Sequence, residues 1–534
     1  MYLKIKTATA AILFMLVMSA ALGYLKYLYI DRGNQRAWHH KIAAKTDSSP
    51  GVSEIPKDYM VGEDFVSHLP LVIIDTAGEE IINYKYYNHE KKTFEYREGA
   101  KPDVEMQISL IDGKEGVNRL GDIPQSISFG SIRIRGNTSS TARFPKKQYL
   151  IKLKTEEGEE NNIEVLGMTA SSEWILNGTQ LDRSYLRNYI AMNTGGELDP
   201  FTPDMRYCEA FMKKEEGFEY MGLFIMYEKI EPGKGRMEIP EVSFPQTIED
   251  SSYVLLRDRV NPGEYHFPVR STLHQREDNW MNLSYPSERK ITEEYWEYIQ
   301  NDIKELERAL YSERYEEFVR YRKLLDLDSF VDYYIINEFF ANYDAGWNST
   351  YIYKNEKGKI AIGPFWDFDG AMDNYEEGLL ELDVLVLGTT PWFDRLTSDQ
   401  YFIDRVNKRY RELRKGLLSP QKIAKEIDEA AAFIAKPVQR DVSRWEELYA
   451  ANMDILAEKE SGLRIDRNRA GWEEEVIRVK DVLLLHGSYM DKGRAVLPER
   501  LIFDEKGVPN VLGAAALLII VAVSMVLMQK QNKK

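Results

Sequence analysis

One cysteine, Cys208, and seven histidines among 534 residues leave little material for disulfide or soft-metal chemistry. A single thiol excludes an internal disulfide framework and any multi-cysteine zinc site, and Cys208 reads as an ordinary buried thiol. His39 and His40 are adjacent, but no His, Cys or acid stands at ligand spacing near them, which argues against a metal in their stretch. A positive excess is also missing. With 86 acidic against 70 basic residues the net charge is −16. Short basic runs such as Lys146-Lys147 form no basic domain, so nucleic acid is not an expected partner. Internal repeats and low-complexity tracts are absent. Neither common glycine-rich phosphate loop, Gly-x-x-x-x-Gly-Lys-Ser/Thr or Gly-x-Gly-x-x-Gly, occurs.

What is present describes a globular body. Hydrophobic residues make up 43% and charged residues 29%, with 33 Tyr and 9 Trp. That mixture buries a real core, and the length suits two or three ordinary domains plus tethers.

Long apolar runs occur only at the ends. Thr7 to Leu25 is an uncharged run of 19 residues, and Val511 to Met528 is one of 18. Each is long enough to cross about 30 Å of hydrocarbon as a helix. The first run fits either a signal peptide, with small residues at Ser19 and Ala21, or an uncleaved anchor. The second is closed by Lys530, Lys533 and Lys534, as a stop-transfer anchor is. Those lysines favour a cytoplasmic tail with the body outside, whereas Lys26, Arg32, Arg36, Lys41 and Lys45 argue the other way. The expectation is a bacterial cell-membrane protein with an extracytoplasmic body.

Between the ends the hydrophobic period changes. Leu71 to Thr76, Val104 to Leu110, Ser131 to Arg135 and Gln148 to Lys154 read as strands, with a helix near Ser184 to Thr194. From Thr292 the period is helical: Glu294 to Leu310, Asp328 to Asn342, Phe402 to Leu417, Gln421 to Ile434 and Trp472 to Leu485. A strand pair interrupts at 351–354 and 359–362. The expected layout is an anchor or signal over 1–30, a linker over 31–68, and a β-rich part over 69–290. A helix-rich part follows over 291–490 with a catalytic segment at 342–370, then a linker over 491–510, a membrane helix over 511–528 and a basic tail over 529–534.

The chemistry concentrates in Asn342-Tyr343-Asp344-Ala345-Gly346-Trp347-Asn348 and Gly363-Pro364-Phe365-Trp366-Asp367-Phe368-Asp369-Gly370. Asp344 follows a helix, on a turn opened by Ala345-Gly346. Asp367 and Asp369 are two apart, so in an extended segment both carboxylates point one way while Phe368 points into the packing. Such a pair suits a hard divalent cation, Mg²⁺ or Mn²⁺, whose remaining ligands are water and phosphate. Asp344, then Asn348, then Asp367 and Asp369 present base, amide and metal ligands in the order that phosphoryl transfer uses in protein kinases. Solvated turn acids are the competing reading. A second cluster joins Arg133 and Arg135 to Lys146, Lys147 and Lys152 around a Gly-containing turn, and could lay cations over phosphates. A surface hairpin with snorkelling lysines competes with it.

Taken together, seven segments resemble the spore-coat CotH kinase family: Arg135-Gly136-Asn137-Thr138-Ser139, Phe144 to Leu153, Trp174 to Asn177, Asp182 to Asn188, Gly222 to Glu228, Asn342 to Asp344 and Pro364 to Asp369. They follow the family's order over roughly 69–450. The resemblance implies an α+β, atypical protein-kinase-like two-lobed fold, here flanked by two transmembrane helices. It also implies transfer of the γ-phosphoryl group of Mg-ATP to a Ser or Thr hydroxyl of a partner protein. By motif, Asp344 is the catalytic acid and Asp367 the metal ligand; Asp369 and Asn348 join them from the spacing argument. Arg135, Lys147 and Lys152 are candidates for the triphosphate, and Glu228 for an ion pair with the phosphate-binding lysine. Which lysine serves stays open, since Lys146, Lys147 and Lys152 alternate in facing. Arg183 and Arg187, one turn apart, fit either an acidic ligand or Asp182 as a capping partner. A binding or scaffold protein that keeps the fold without catalysis is the alternative. A two-carboxylate glycosidase fits less well beside the Asp367/Asp369 spacing and the basic hairpin.

Overall fold

The structure, a computed structural model, describes residues 36–43, 51–88, 93–113, 116–135, 144–240, 248, 251–259, 265–270, 280–374, 385–450 and 471–492. Seven of the strands in its first half build one sheet: β1 (Leu71–Asp75), β2 (Val104–Ile111), β3 (Ser126–Ile134), β4 (Tyr149–Lys154), β5 (Glu173–Asn177), β6 (Met205–Lys214) and β7 (Gly217–Glu228). They pair in the order β7-β5-β4-β3-β2-β1-β6, and β6 pairs back onto β7, so the sheet closes into a barrel. All neighbours are antiparallel except β1 and β6. Closure removes the exposed edges that an open sheet would present.

The two-residue alternation of these strands sorts them into an inside and an outside. Val72, Ile74, Met106, Ile108, Ile132, Ile151, Leu153, Trp174, Leu176, Cys208, Phe224 and Met226 fill the interior as one buried cluster. On the outer wall Leu150, Ile175, Tyr207, Leu223, Ile225 and Tyr227 belong to a larger cluster shared with the helices.

That larger cluster is built from α2 (Arg187–Gly196), α3 (Glu293–Leu310), α4 (Leu327–Phe339), α5 (Gln400–Leu413), α6 (Pro420–Arg444) and α7 (Trp472–Asp491), after a short α1 (His39–Ile42). Their starts carry side-chain caps where the sequence supplies them. Thr292 caps α3, Asp326 caps α4, Asp399 caps α5, and Ser419 precedes Pro420 at the first turn of α6, each satisfying amides that a helix leaves unpaired. A second sheet runs β9-β10-β8-β11-β12, from β8 (Tyr253–Asp258), β9 (His266–Pro268), β10 (Trp280–Tyr285), β11 (Thr350–Lys354) and β12 (Ile360–Ile362). Within the segment read as a linker, Trp38 is buried and donates to Glu197 at 3.0 Å.

Two expectations are corrected. The α+β character holds, but the two-lobed kinase arrangement does not. The β-rich half is a closed seven-stranded barrel, and one core runs from its outer wall through α2 into the second sheet and the C-terminal helices. Alternation marks strands and faces; it does not reveal that β1 and β6 would pair and close the sheet. The flanking transmembrane helices do not stand either. Among the described residues no helix is long and apolar enough to cross a membrane. The runs at 7–25 and 511–528 lie outside the described residues, and an apolar run is a necessary but not a sufficient sign of a span. The bacterial cell-membrane location and the extracytoplasmic body, which rested on those helices, fall with them.

Candidate active site

Two turns carry the acids. The first leaves the C-terminus of α4. Its carbonyl at Asp344 accepts from Trp347 N at 3.0 Å and Asn348 N at 2.9 Å, and Asn348 Nδ2 donates to Asp344 Oδ1 at 3.0 Å. Gly346 has φ +80, and a Cβ there would meet Thr390 Oγ1 at 2.4 Å. Only glycine suits both conditions. Buried Arg257 holds the same peptide from behind, Nη1 donating to Gly346 O at 2.8 Å while its guanidinium lies 4.6 Å from the Trp392 ring centre. The Asp344 side chain is thus aimed by its own turn and by β8.

The second turn follows β12 and is clamped against α2. Phe365 N donates to Thr202 Oγ1 at 3.2 Å and Phe368 N to Asn188 Oδ1 at 2.7 Å. Arg187 Nε donates to Ala371 O at 3.0 Å. Gly195 of α2 lets the Phe365 ring approach, since a Cβ would lie 2.5 Å from it. Phe365 and Phe368 are buried, and Trp366 packs edge-on to Tyr227 at 5.7 Å. Asp367 between them has φ +65, a left-handed conformation that Asp tolerates better than most residues and that recurs where a structure holds a functional group in place.

The two turns are bonded to each other. Asn342 Nδ2 donates to Asp367 O at 3.3 Å, and Ser349 Oγ donates to Asp367 Oδ2 at 2.7 Å. The acids share one electrostatic field. Burial, then the carboxylates of Asp367, Asp344 and Asp182, push the Asp369 carboxyl well above the usual range. Asp258, at the end of β8, is raised to about 6 by burial first, with Asp367 and Asp344 adding to it. A cluster that cannot ionise fully by itself is matched to a cation or a shared proton. Its donors are carboxylate and amide oxygens, without imidazole or thiolate, which fits Mg²⁺ or Mn²⁺ and disfavours softer ions.

The basic residues separate. Arg135 reaches this end of the barrel, its guanidinium 5.5 Å from the Trp366 ring centre, with Nη1 donating to Gln148 Oε1 at 3.3 Å. Lys152 pairs instead with Glu173 at 2.6 Å, and Lys147 is half-buried, its ammonium pushed down by burial. Lys146 is fully buried against Asp441 of α6 at 2.7 Å. Glu228 accepts from Thr169 N and Asp204 N, each at 2.9 Å, tying the short strand Met168–Ser171 to the residue before β6. Gly136 to Ser140 lie outside the described residues.

Asp182 and Arg187 form a structural knot. Arg187 bonds Asp182 at 2.7 Å and Glu475 of α7 at 2.6 Å, and Asp182 Oδ2 also accepts Arg187 N at 2.8 Å. Arg183 lies over the Tyr449 ring at 5.8 Å. Sequence reasoning did not single out Asp258, Asn188, Ser349 or Arg257. Asp258 had a signal, an acid closing the apolar run Tyr253 to Leu256; the roles of the other three are legible only from their partners.

The family model described as CotH kinase protein matches residues 132–490. No curated protein matches the chain.

Proposed function

Because the chain belongs to the CotH kinase protein family, we propose that it transfers the γ-phosphoryl group of Mg-ATP to a Ser or Thr hydroxyl of a partner protein. The observation that carries this reading is the bonding of the Asp344 turn to the Asp367 turn through Asn342 and Ser349. It supports the reading because Asp344, proposed for the acceptor hydroxyl, is then tied to the segment of Asp367 and Asp369, proposed for the cation.

Asp344, oriented by Asn348, accepts the hydroxyl proton as the acceptor oxygen attacks. Asp367 and Asp369 are the residues that would hold the divalent ion, with Asp258 adding negative charge behind them. When bound, that ion neutralises charge on the transferring phosphoryl group. Arg135 is the predicted cation that lies beside the Trp-Asp-Phe-Asp segment, and it would engage nucleotide phosphate. Asn342, Ser349, Asn188 and Arg257 are positioning residues.

The test is transfer of label from γ-labelled ATP to a protein acceptor, or to the chain itself, with Mg²⁺ or Mn²⁺. Asp344→Asn and Asp367→Asn should each abolish labelling while the melting transition stays in place. Labelling that persists in both variants sinks the assignment.

A further inference from the structure

Of the paired histidines, which have no ligand partner in their own stretch, His40 meets two acids from far along the chain, while His39 accepts from Tyr207 N. α1 lies along α6. His40 Nδ1 is 2.8 Å from the Tyr189 hydroxyl, which engages that nitrogen and turns Nε2 toward α6. There it faces Glu426 Oε2 at 3.3 Å and Glu429 Oε2 at 3.9 Å. Glu426 and Glu429 are three apart, on one face of the helix.

The burial is unusual for such a set. The His40 side chain is 2% exposed and that of Glu426 is 5%, and neither His40 Nε2 nor Glu426 Oε2 has a well-directed hydrogen bond. Lys41 occupies only the other oxygen, Glu426 Oε1, at 2.5 Å, so the carboxylate is held with Oε2 turned to the histidine. One ligand atom from each of the three residues lies within 4.8 Å of the others. Glu429 is half exposed, leaving a route for an ion and its water.

We propose that His40, Glu426 and Glu429 form a site for a divalent transition metal of the Zn²⁺ class, which fastens α1 to α6. One imidazole nitrogen, two carboxylate oxygens and a water complete the four-coordinate sphere that Zn²⁺ prefers. The nitrogen ligand selects against Mg²⁺. Tyr189 and Lys41 supply the outer contacts that fix the ring and the carboxylate. The site is separate from the carboxylates of Asp344 and Asp367.

The experiment uses the full chain stripped of metal, titrated with Zn²⁺ by calorimetry and with Co²⁺ by its visible absorption. Both are repeated in an Asp344→Asn/Asp367→Asn background, to remove uptake at the acidic cluster. One equivalent should bind in the double-variant background, the parent should take up that equivalent in addition to any metal at the acidic cluster, and Zn²⁺ should raise the melting temperature of both. His40→Gln and Glu429→Gln should each weaken binding by at least about tenfold. Glu429 is a surface residue, so its variant tests the ligand set even where His40→Gln disturbs packing. Failure of the Asp344→Asn/Asp367→Asn protein to bind either ion, or unchanged affinity when Glu429→Gln is added to it, overturns the site. The contact is then only a polar contact between His40 and Glu426.

Discussion

The Ser349 hydroxyl donates to Asp367 Oδ2 at 2.7 Å, across the gap between the turn after α4 and the turn after β12. Ser349 itself stands at φ +48. The bond fixes a carboxylate whose backbone is already in a left-handed conformation, so both partners are set before any ligand arrives.

Ser349→Ala removes that bond and nothing from the core. A hydrogen bond to a charged group is worth about 1.5–3 kcal/mol, so kcat/KM for labelling should fall by roughly tenfold to a hundredfold. The same bond contributes to folding, so the melting temperature should fall by only a few degrees, too little to unfold the chain in the assay. A variant with full activity would show that Asp367 needs no help from this hydroxyl.

Gly346→Ala makes a different demand. The residue must adopt φ +80 and place a methyl group against Thr390 Oγ1. Positive φ alone costs about 1–2 kcal/mol for an L-residue, and the clash adds to it. Denaturant midpoints should drop, and labelling should fall further than stability explains, because Asp344 rides on the same turn.

The carboxylate segments were legible because their chemistry is written in consecutive residues. Asp344 and Asp367 occur in recognisable strings, and the order of acid, amide and acid pair is readable without coordinates. Strands and helices were legible for the same local reason, from alternation and from three- and four-residue spacing. Partner choice was not. Nothing near Leu71 or Met205 announces that β1 and β6 pair in parallel and close the barrel. Helix α6 runs through Pro437 to Arg444, beyond the expected end at Ile434, because Arg440 and Asp441 bond Glu209 and Lys146 of the barrel. Lys146 and Lys152 looked alike in sequence; burial separates them.

That difference is measurable. Lys146 and Asp441 are both fully buried, and Asp441 Oδ1 also accepts Leu223 N at 2.7 Å. Removing the ammonium strands a buried carboxylate, so Lys146→Met should destabilise by roughly 3–5 kcal/mol. Adding Asp441→Asn should restore part of the loss. Lys152→Met, which breaks a partly exposed pair with Glu173, should cost no more than about 1 kcal/mol. Chemical denaturation of the three variants checks the ordering, and equal losses for both lysines would contradict it.

Glu338 gives the pH dependence. It is fully buried on α4 and accepts from Val386 N and Leu387 N, each at 2.8 Å, yet burial pushes its carboxyl from the ordinary 4.5 up to about 7. Between those values the folded chain holds a proton that the unfolded chain has released. Stability from this group is therefore fully present below 4.5 and declines as pH rises to about 7, then levels. At about 1.4 kcal/mol for each pKa unit the decline is worth roughly 3 kcal/mol. Glu338→Gln should reduce the slope of unfolding free energy against pH by this share, leaving the part carried by other buried carboxyls such as Asp258, whatever it does to absolute stability.

Cation binding at the proposed centre should carry a pH signature of its own. Asp369 is held protonated beyond the usual carboxylate range by burial and by Asp367, Asp344 and Asp182. A divalent ion favours the ionised form, so binding must expel that proton, and affinity must rise with pH until Asp369 is ionised without help. Heat-shift titrations with Mg²⁺ across pH should show the midpoint concentration falling as pH increases. A saturating ion at a hundred times its Kd adds about 2.7 kcal/mol of stability, large enough to follow. In Asp369→Asn the proton is gone, so affinity should be weaker and nearly independent of pH in that range. A pH-independent midpoint in the parent protein would mean that Asp369 faces no cation, and the ligand set would reduce to Asp367 and its neighbours.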